Sequence, residues 1–141
     1  MTRDPLEILA RLRRSVCEDA RRGLAACLEA EEAASTALRS AEAAIFRERD
    51  AACELDADDG AVEAFAAWLP QGRAAVAQAR EAHLRAGAAT VQARAILAAA
   101  RTSAEATDRL LASREAEREA EAARRAQLAM DEAAAHRTRP H

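Results

Sequence analysis

The chain has almost no aromatic residues: no Tyr, two Phe and one Trp in 141 residues, 2% in all. That scarcity excludes a broad globular core, which needs bulky side chains to fill the space between layers. Proline is confined to three positions and glycine to four, so little interrupts a helix: no Pro stands between Pro5 and Pro70, and a helix tolerates Gly23 at about 1 kcal/mol. Lysine is absent, and all 21 basic residues are Arg. No stretch approaches the roughly 20 consecutive apolar residues of a membrane span. The N-terminus, MTRDPLEILARLRR, lacks an apolar signal core and a cleavage site, so a cytoplasmic location is expected. The three cysteines, Cys17, Cys27 and Cys53, form no C-x-x-C. On one helix, ten residues part Cys17 and Cys27 by about 15 Å, too far for a disulfide. They are expected to be small apolar fillers.

What remains is Ala, Arg, Glu and scattered Leu. Half of the residues count as hydrophobic, but alanine supplies most of that half. With a net charge of only −3, this composition points to long helices rather than to disorder. A two-helix coiled coil needs only a narrow apolar seam and suits such a chain. The size is that of a single domain, 1–141.

Asp4-Pro5-Leu6-Glu7 reads as a helix start, with Asp4 as cap, Pro5 at the first helical position and Glu7 three residues after the cap. Leu9, Leu12 and Val16 open a seam. After a one-residue shift, Leu24, Leu38, Ile45 and Ala52 recur at multiples of seven, with Cys27, Ala34, Ala41 and Leu55 three residues behind; Glu31 and Glu48 are polar entries in these rows. The first helix is therefore expected over about 5–56, roughly 80 Å long. In DADDG, residues 56–60, the acids disfavour a helix end and favour a helix start, and Gly60 suits a left-handed terminus. Asp58 or Asp59 should cap a short helical segment over about 61–68. Pro70 should divide it from a second long helix over about 70–135, with Val76, Leu84, Val91, Leu97, Ala104, Leu111 and Leu128 on its apolar side. Residues 136–141 should fray. A short connection between long helices predicts an all-α, antiparallel two-helix coiled-coil hairpin in which about 114–135 overhang the N-terminus. An extended rod that homodimerises as a generic structural coiled coil is the alternative, and the DDG break argues against it.

No phosphate loop, nucleophile elbow or metal-ligand spacing is present; His83, His136 and His141 stand in no zinc pattern with the cysteines. A thin coiled coil also offers no deep pocket. A non-enzymatic protein without cofactor or metal is expected. Arg interleaved with Glu, as in Arg114-Glu115-Ala116-Glu117-Arg118, is a solvated helix face and not a nucleic-acid surface. Ala is too weak an anchor for a lipid-surface helix. Charge is nevertheless uneven. Residues 47–63 carry seven acids against Arg47 and Arg49, whereas 3–22 carry six Arg against four acids. A hairpin would thus have an acidic turn and a mildly basic pair of termini, a pattern that serves solubility or fits the two ends to different partners.

Three stretches in order carry a resemblance: DPLEILARLRR at the start, EAFAAWLPQGRAAVAQAREAH in the middle and AQLAMDEAAAHR near the end. Together, along essentially the whole chain, they resemble the FliJ family of flagellar and type III export proteins. Pro70 departs from the family, in which that stretch is usually continuous helix, and the aromatic content is lower than in many members. The resemblance implies a stalk-like antiparallel coiled coil that does not hydrolyse ATP. Its implied partners are the ring-shaped hexamer of a FliI-like export ATPase, an FlhA-like export gate protein and export chaperones, at the periphery of the membrane-embedded apparatus. By the same resemblance, Leu6, Leu9, Arg13, Arg14, Met130, Asp131 and Glu132 would face the ATPase, and Phe65, Trp68, Val76 and His83 the gate. Trp68 has a physical case of its own: two thin helices can hardly bury an indole between them, so it is either an interface anchor, as exposed Trp often is, or a local cap over the helix turn.

Overall fold

The computed structural model describes residues 3–54 and 56–140. Leu55, expected on the seam, and His141, in the terminal tail, lie outside the described residues. The chain is all-helical: α1 spans Pro5–Ala52 and α2 spans Asp59–Thr138. It divides into two compact units, one of Met1–Cys17 with Ala99–His141 and the other of Glu18–Ala98.

The start of α1 is as the local residues dictate. Asp4 Oδ1 accepts from the Leu6 amide at 3.0 Å, and the Asp4 carbonyl from the amides of Glu7 and Ile8. The end comes four residues before the expected 56. Cys53 closes the last turn onto the Arg49 and Asp50 carbonyls, after which Glu54 and Asp56 would oppose the negative end of the helix dipole. Gly60 does not supply a left-handed terminus. No glycine has positive φ among the described residues, and Gly60 is already the second residue of α2. The reversal falls between Ala52 and Asp59, with Asp58 as the cap of α2: its Oδ1 accepts from the Ala61 amide at 3.0 Å.

The expected division at Pro70 is also absent, because α2 is continuous through it. Proline removes one amide donor and normally breaks a helix interior. Here Pro70 and Ala66, whose carbonyl loses that donor, are both exposed, so water can satisfy the carbonyl. Phe65 and Leu69, one position before them on the inward row, are half-buried, so the helix keeps its seam contacts on both sides of the gap. At the far end α2 runs to Thr138, three residues past the expected boundary. Thr138 Oγ1 donates to the Ala134 and Ala135 carbonyls, and the basic His136 and Arg137 complement the negative end of the helix dipole.

In the unit of residues 18–98, α1 and α2 run antiparallel across the 53–58 connection. The α1 residues turned inward are Ala20, Leu24, Cys27, Glu31, Ala34, Leu38, Ala41 and Ile45, spaced three and four as in a coiled coil, and Ala52 one heptad on, the expected Glu48 between them being exposed. Those of α2 are Phe65, Leu69, Gly72, Val76, Ala79, His83, Ala86, Thr90, Ala93 and Leu97, with the same spacing. Small side chains at most of these places let the axes approach. Thr90 Oγ1 consequently reaches a backbone carbonyl of the other helix, that of Cys27, at 3.3 Å, as well as Ala86 O at 3.2 Å.

In the other unit, the inward positions are Leu6, Ala10, Arg13 and Cys17 on α1 and Ala100, Ala104, Thr107 and Leu111 on α2. The pairs Asp4–Arg114, Arg13–Thr107 and Arg14–Asp108 show the antiparallel direction. The expected opening of the seam at Leu12 and Val16 is incorrect: they are 59% and 47% exposed. Leu84, Val91 and Leu128, expected on the apolar side of α2, are likewise exposed. Strict three-four spacing selects the neighbouring positions, even though smaller or polar residues occupy them. All three cysteines are free.

Candidate partner-binding surfaces

Of the terminal residues singled out by resemblance, Leu6, Leu9, Arg13 and Arg14 occupy the first turns of α1. Leu6 and Leu9 are half-buried and, with Asp4, Pro5 and Arg114, line a shallow groove of about 260 Å³. Arg13 does not point to solvent. Its Nη1 donates to the Thr107 hydroxyl at 2.7 Å and the Ser103 carbonyl at 2.9 Å, so a guanidinium occupies a seam position. Arg14, one residue on, pairs with Asp108 at 3.2 Å on the exposed flank. Asp4 does double duty: besides capping α1, it pairs with Arg114 at 3.3 Å and Arg118 at 3.8 Å. A second open groove, of about 460 Å³, has Glu7, Arg11, Arg14, Glu115 and Arg118 among its lining residues. Its mixed charge suits solvent and surface pairing more than a buried small molecule.

Met130, Asp131 and Glu132 are not brought to this place. Arg118 is the last α2 residue with a contact to Asp4, and twelve further residues of helix carry Met130 about 18 Å beyond it. Every described residue from 112 onward is exposed. This stretch is held by its own pairs, including Arg118–Glu115 and Arg125–Glu121, and by Gln127 donating to Asp131 at 2.9 Å. Met130 is 61% exposed.

Near the connection, Phe65 and Trp68 form one aromatic unit, their rings 6.3 Å apart and inclined by 30°. Trp68 is half-buried. Its indole lies over Gly72, where an added Cβ would come within 2.6 Å of the ring. Glycine at this position is thus what allows the indole to lie against the helix. Val76 and His83 lie on the inward-facing row, away from the outer surface of α2. The Nδ1 of His83 is buried and has no hydrogen-bond partner.

Sequence reasoning missed the polar seam residues Arg13, Thr90 and Thr107, along with the exposure of Leu28, Leu84 and Val91. A usable signal was present: counting back by sevens from Leu97 places Thr90 and His83, not Val91 and Leu84, in the seam. Among the described residues no group of three or more His, Cys, Asp or Glu could hold a metal ion, and no helix is long and apolar enough to cross a membrane. No family model, curated protein or solved structure matches the chain.

Proposed function

We propose that the chain is a stalk-like binding protein of a type III export apparatus. In this role it engages the ring of an export ATPase through its terminal helical segment and a gate protein through the region near the helix connection. The observation that carries this reading is the single-helix extension of α2. Beyond Arg118 some twenty residues continue as helix to Thr138, all of them exposed. In proteins most helical stability comes from packing rather than from propensity, and a partner that surrounds this segment would supply the packing it lacks. The FliJ-like order of the three sequence stretches supports the identity of that partner. Phe65 and Trp68, beside the connection, support a second contact.

The test is hydrolysis by a FliI-like ATPase from the same genome, with and without the full-length chain. Stimulation is expected, and replacing Met130, Asp131 and Glu132 together by Ala, Arg and Arg should remove most of it. These residues touch nothing on α1, so helicity and oligomeric state should not change. Undiminished stimulation by the triple variant, or none by the natural chain, would refute the proposal. Arg13 is unsuitable for this test, because its replacement would disturb the seam. Sedimentation gives an independent check: a particle of about 15.1 kDa fits the stalk, whereas an obligate dimer favours a generic rod.

A further inference from the structure

Within residues 18–98, α2 carries a second stripe beside its seam. Arg80, Leu84, Gly87, Val91 and Arg94 repeat the four-three spacing of Ala79, His83, Ala86, Thr90 and Ala93, displaced by one residue. Leu84 and Val91 are 68% and 69% exposed, more than any of the other exposed large apolar residues. Leu28, exposed on α1, adds to them. It follows Cys27 as Gly87 follows Ala86, and positions of this kind share a flank, as the Arg80–Glu42 pair at 3.7 Å shows. The result is an apolar centre on this flank of the helix pair.

Gly87 lies in the middle of this centre. A Cβ there would meet only a carboxylate oxygen of Glu31, at an ordinary 3.5 Å. Packing within the chain therefore has room for alanine, yet glycine in a helix costs about 1 kcal/mol relative to it. A bare backbone between two exposed apolar side chains is what a third helix needs to approach closely.

Charge identifies the occupant. Across residues 64–98, α2 carries Arg73, Arg80, Arg85 and Arg94 against the single acid Glu81. Arg73 and Arg94 have no ion-pair partner among the described residues, and the Arg80–Glu42 pair is exposed on both sides, where such pairs are worth little. A second copy of the chain fits poorly. Two stripes crossing antiparallel at Gly87 place Arg80 against Arg94 twice, and a parallel match places each Arg against itself; like charges so juxtaposed are strongly disfavoured. Glu31, beside Gly87, also rejects acid at the centre. We infer that Leu28, Leu84, Gly87 and Val91 form the docking surface for an amphipathic helix of a partner protein, one with an uncharged apolar centre and carboxylates on either side that meet Arg80 and Arg94. This surface is independent of the ATPase and gate contacts proposed above.

The probe is a fluorescein-labelled helical peptide with leucines at three-four spacing through its centre and glutamates bracketing them fourteen residues apart. Its control carries lysines in place of the glutamates. Anisotropy with the full-length chain should show binding of the glutamate peptide alone, weakening as salt rises. Leu84→Gln with Val91→Gln should weaken it by about tenfold or more, as for an interface hot spot. Arg80→Glu with Arg94→Glu should exchange the preference for the lysine peptide. Gly87→Ala should raise helicity while weakening binding, which a purely structural glycine would not do. Absence of binding, equal binding of both peptides, or binding unaffected by the leucine and valine replacements would overturn the inference. A dimer of the natural chain that dissolves in Leu84→Gln with Val91→Gln would also overturn it, by assigning the patch to a second copy.

Discussion

Two buried threonines, one in each unit, should respond in opposite ways to the same substitution. Thr107 is 0% exposed and Thr90 3% exposed, so replacement by valine keeps shape and burial while exchanging a hydroxyl for a methyl. Thr107 accepts a hydrogen bond from the Arg13 guanidinium at 2.7 Å. Valine would leave that charged donor with only the Ser103 carbonyl, at 2.9 Å. A bond to a charged group is worth about 1.5–3 kcal/mol. Arg13 keeps one partner and is partly exposed, so the expected cost is nearer 1 kcal/mol. Thr90 is in the reverse position. It only donates, to the Cys27 and Ala86 carbonyls at 3.3 and 3.2 Å, and both carbonyls also face helical amides. Valine there orphans nothing and buries one more methyl, worth up to about 0.8 kcal/mol. Thr90→Val should therefore be neutral or stabilising. Thermal denaturation followed by circular dichroism should separate the two by a few degrees, since 1 kcal/mol moves the midpoint by about 2–4 °C at this size. Adding Arg13→Met to Thr107→Val should recover part of the loss, because both partners of the bond are then apolar. Equal midpoints for the two valine variants, or a cost at Thr90 exceeding that at Thr107, would refute the assignment of acceptor and donor roles.

Two further substitutions test the neighbourhood of the aromatic pair and the seam. Gly72→Ala would bring a Cβ to 2.6 Å from the Trp68 ring and force the indole outward. The emission of this single Trp should shift to the red with helicity unchanged, and an unaltered spectrum would show that the ring does not lie on the glycine. His83→Leu removes the unpartnered buried Nδ1 and fills a seam position with an apolar side chain. It should raise stability by about 1–2 kcal/mol, on the scale of an unsatisfied buried polar group, in urea denaturation; a loss would mean that His83 makes a contact essential to the fold.

The long helices were legible because they depend on local rules that nothing in the chain opposes. Ala, Arg and Glu favour helix, Asp4 and Asp58 supply caps, and proline and glycine are too few to interrupt. The phase of the seam was less legible because size misled. Leu12, Val16, Leu84 and Val91 are among the larger apolar side chains in their neighbourhoods, yet a two-helix contact selects by spacing, and the spacing falls on Ala10, Cys17, His83 and Thr90. The continuity of α2 through Pro70 was not legible from local rules, which penalise the missing amide donor. It depends on Pro70 facing solvent while Phe65 and Leu69 face α1. The pairing of Asp4 with Arg114 and Arg118 was beyond sequence reasoning altogether, because more than a hundred residues separate the partners.

The same spacing divides the work of the helices. Among the described residues, Leu97 is the only large apolar residue in the buried core; the others are Ala10, Cys17, Ala52 and Ala100. Leu12, Ile96, Leu110, Leu84 and Val91 are all more than half exposed. Leu24, Leu38, Ile45, Leu69 and Val76 are half-buried in the seam, but as many large apolar side chains stay at the surface, more than a self-sufficient domain leaves there. Burial of apolar area drives both folding and association, so much of the available driving force lies outside the seam. A partner that covers these residues also stabilises the helices on which they stand, since whatever binds only the folded state raises its stability. The exposed leucines and valines thus belong to the same physical account as the thin alanine seam: the seam specifies how α1 and α2 pair, and the uncovered rows hold the affinity with which the pair can be bound.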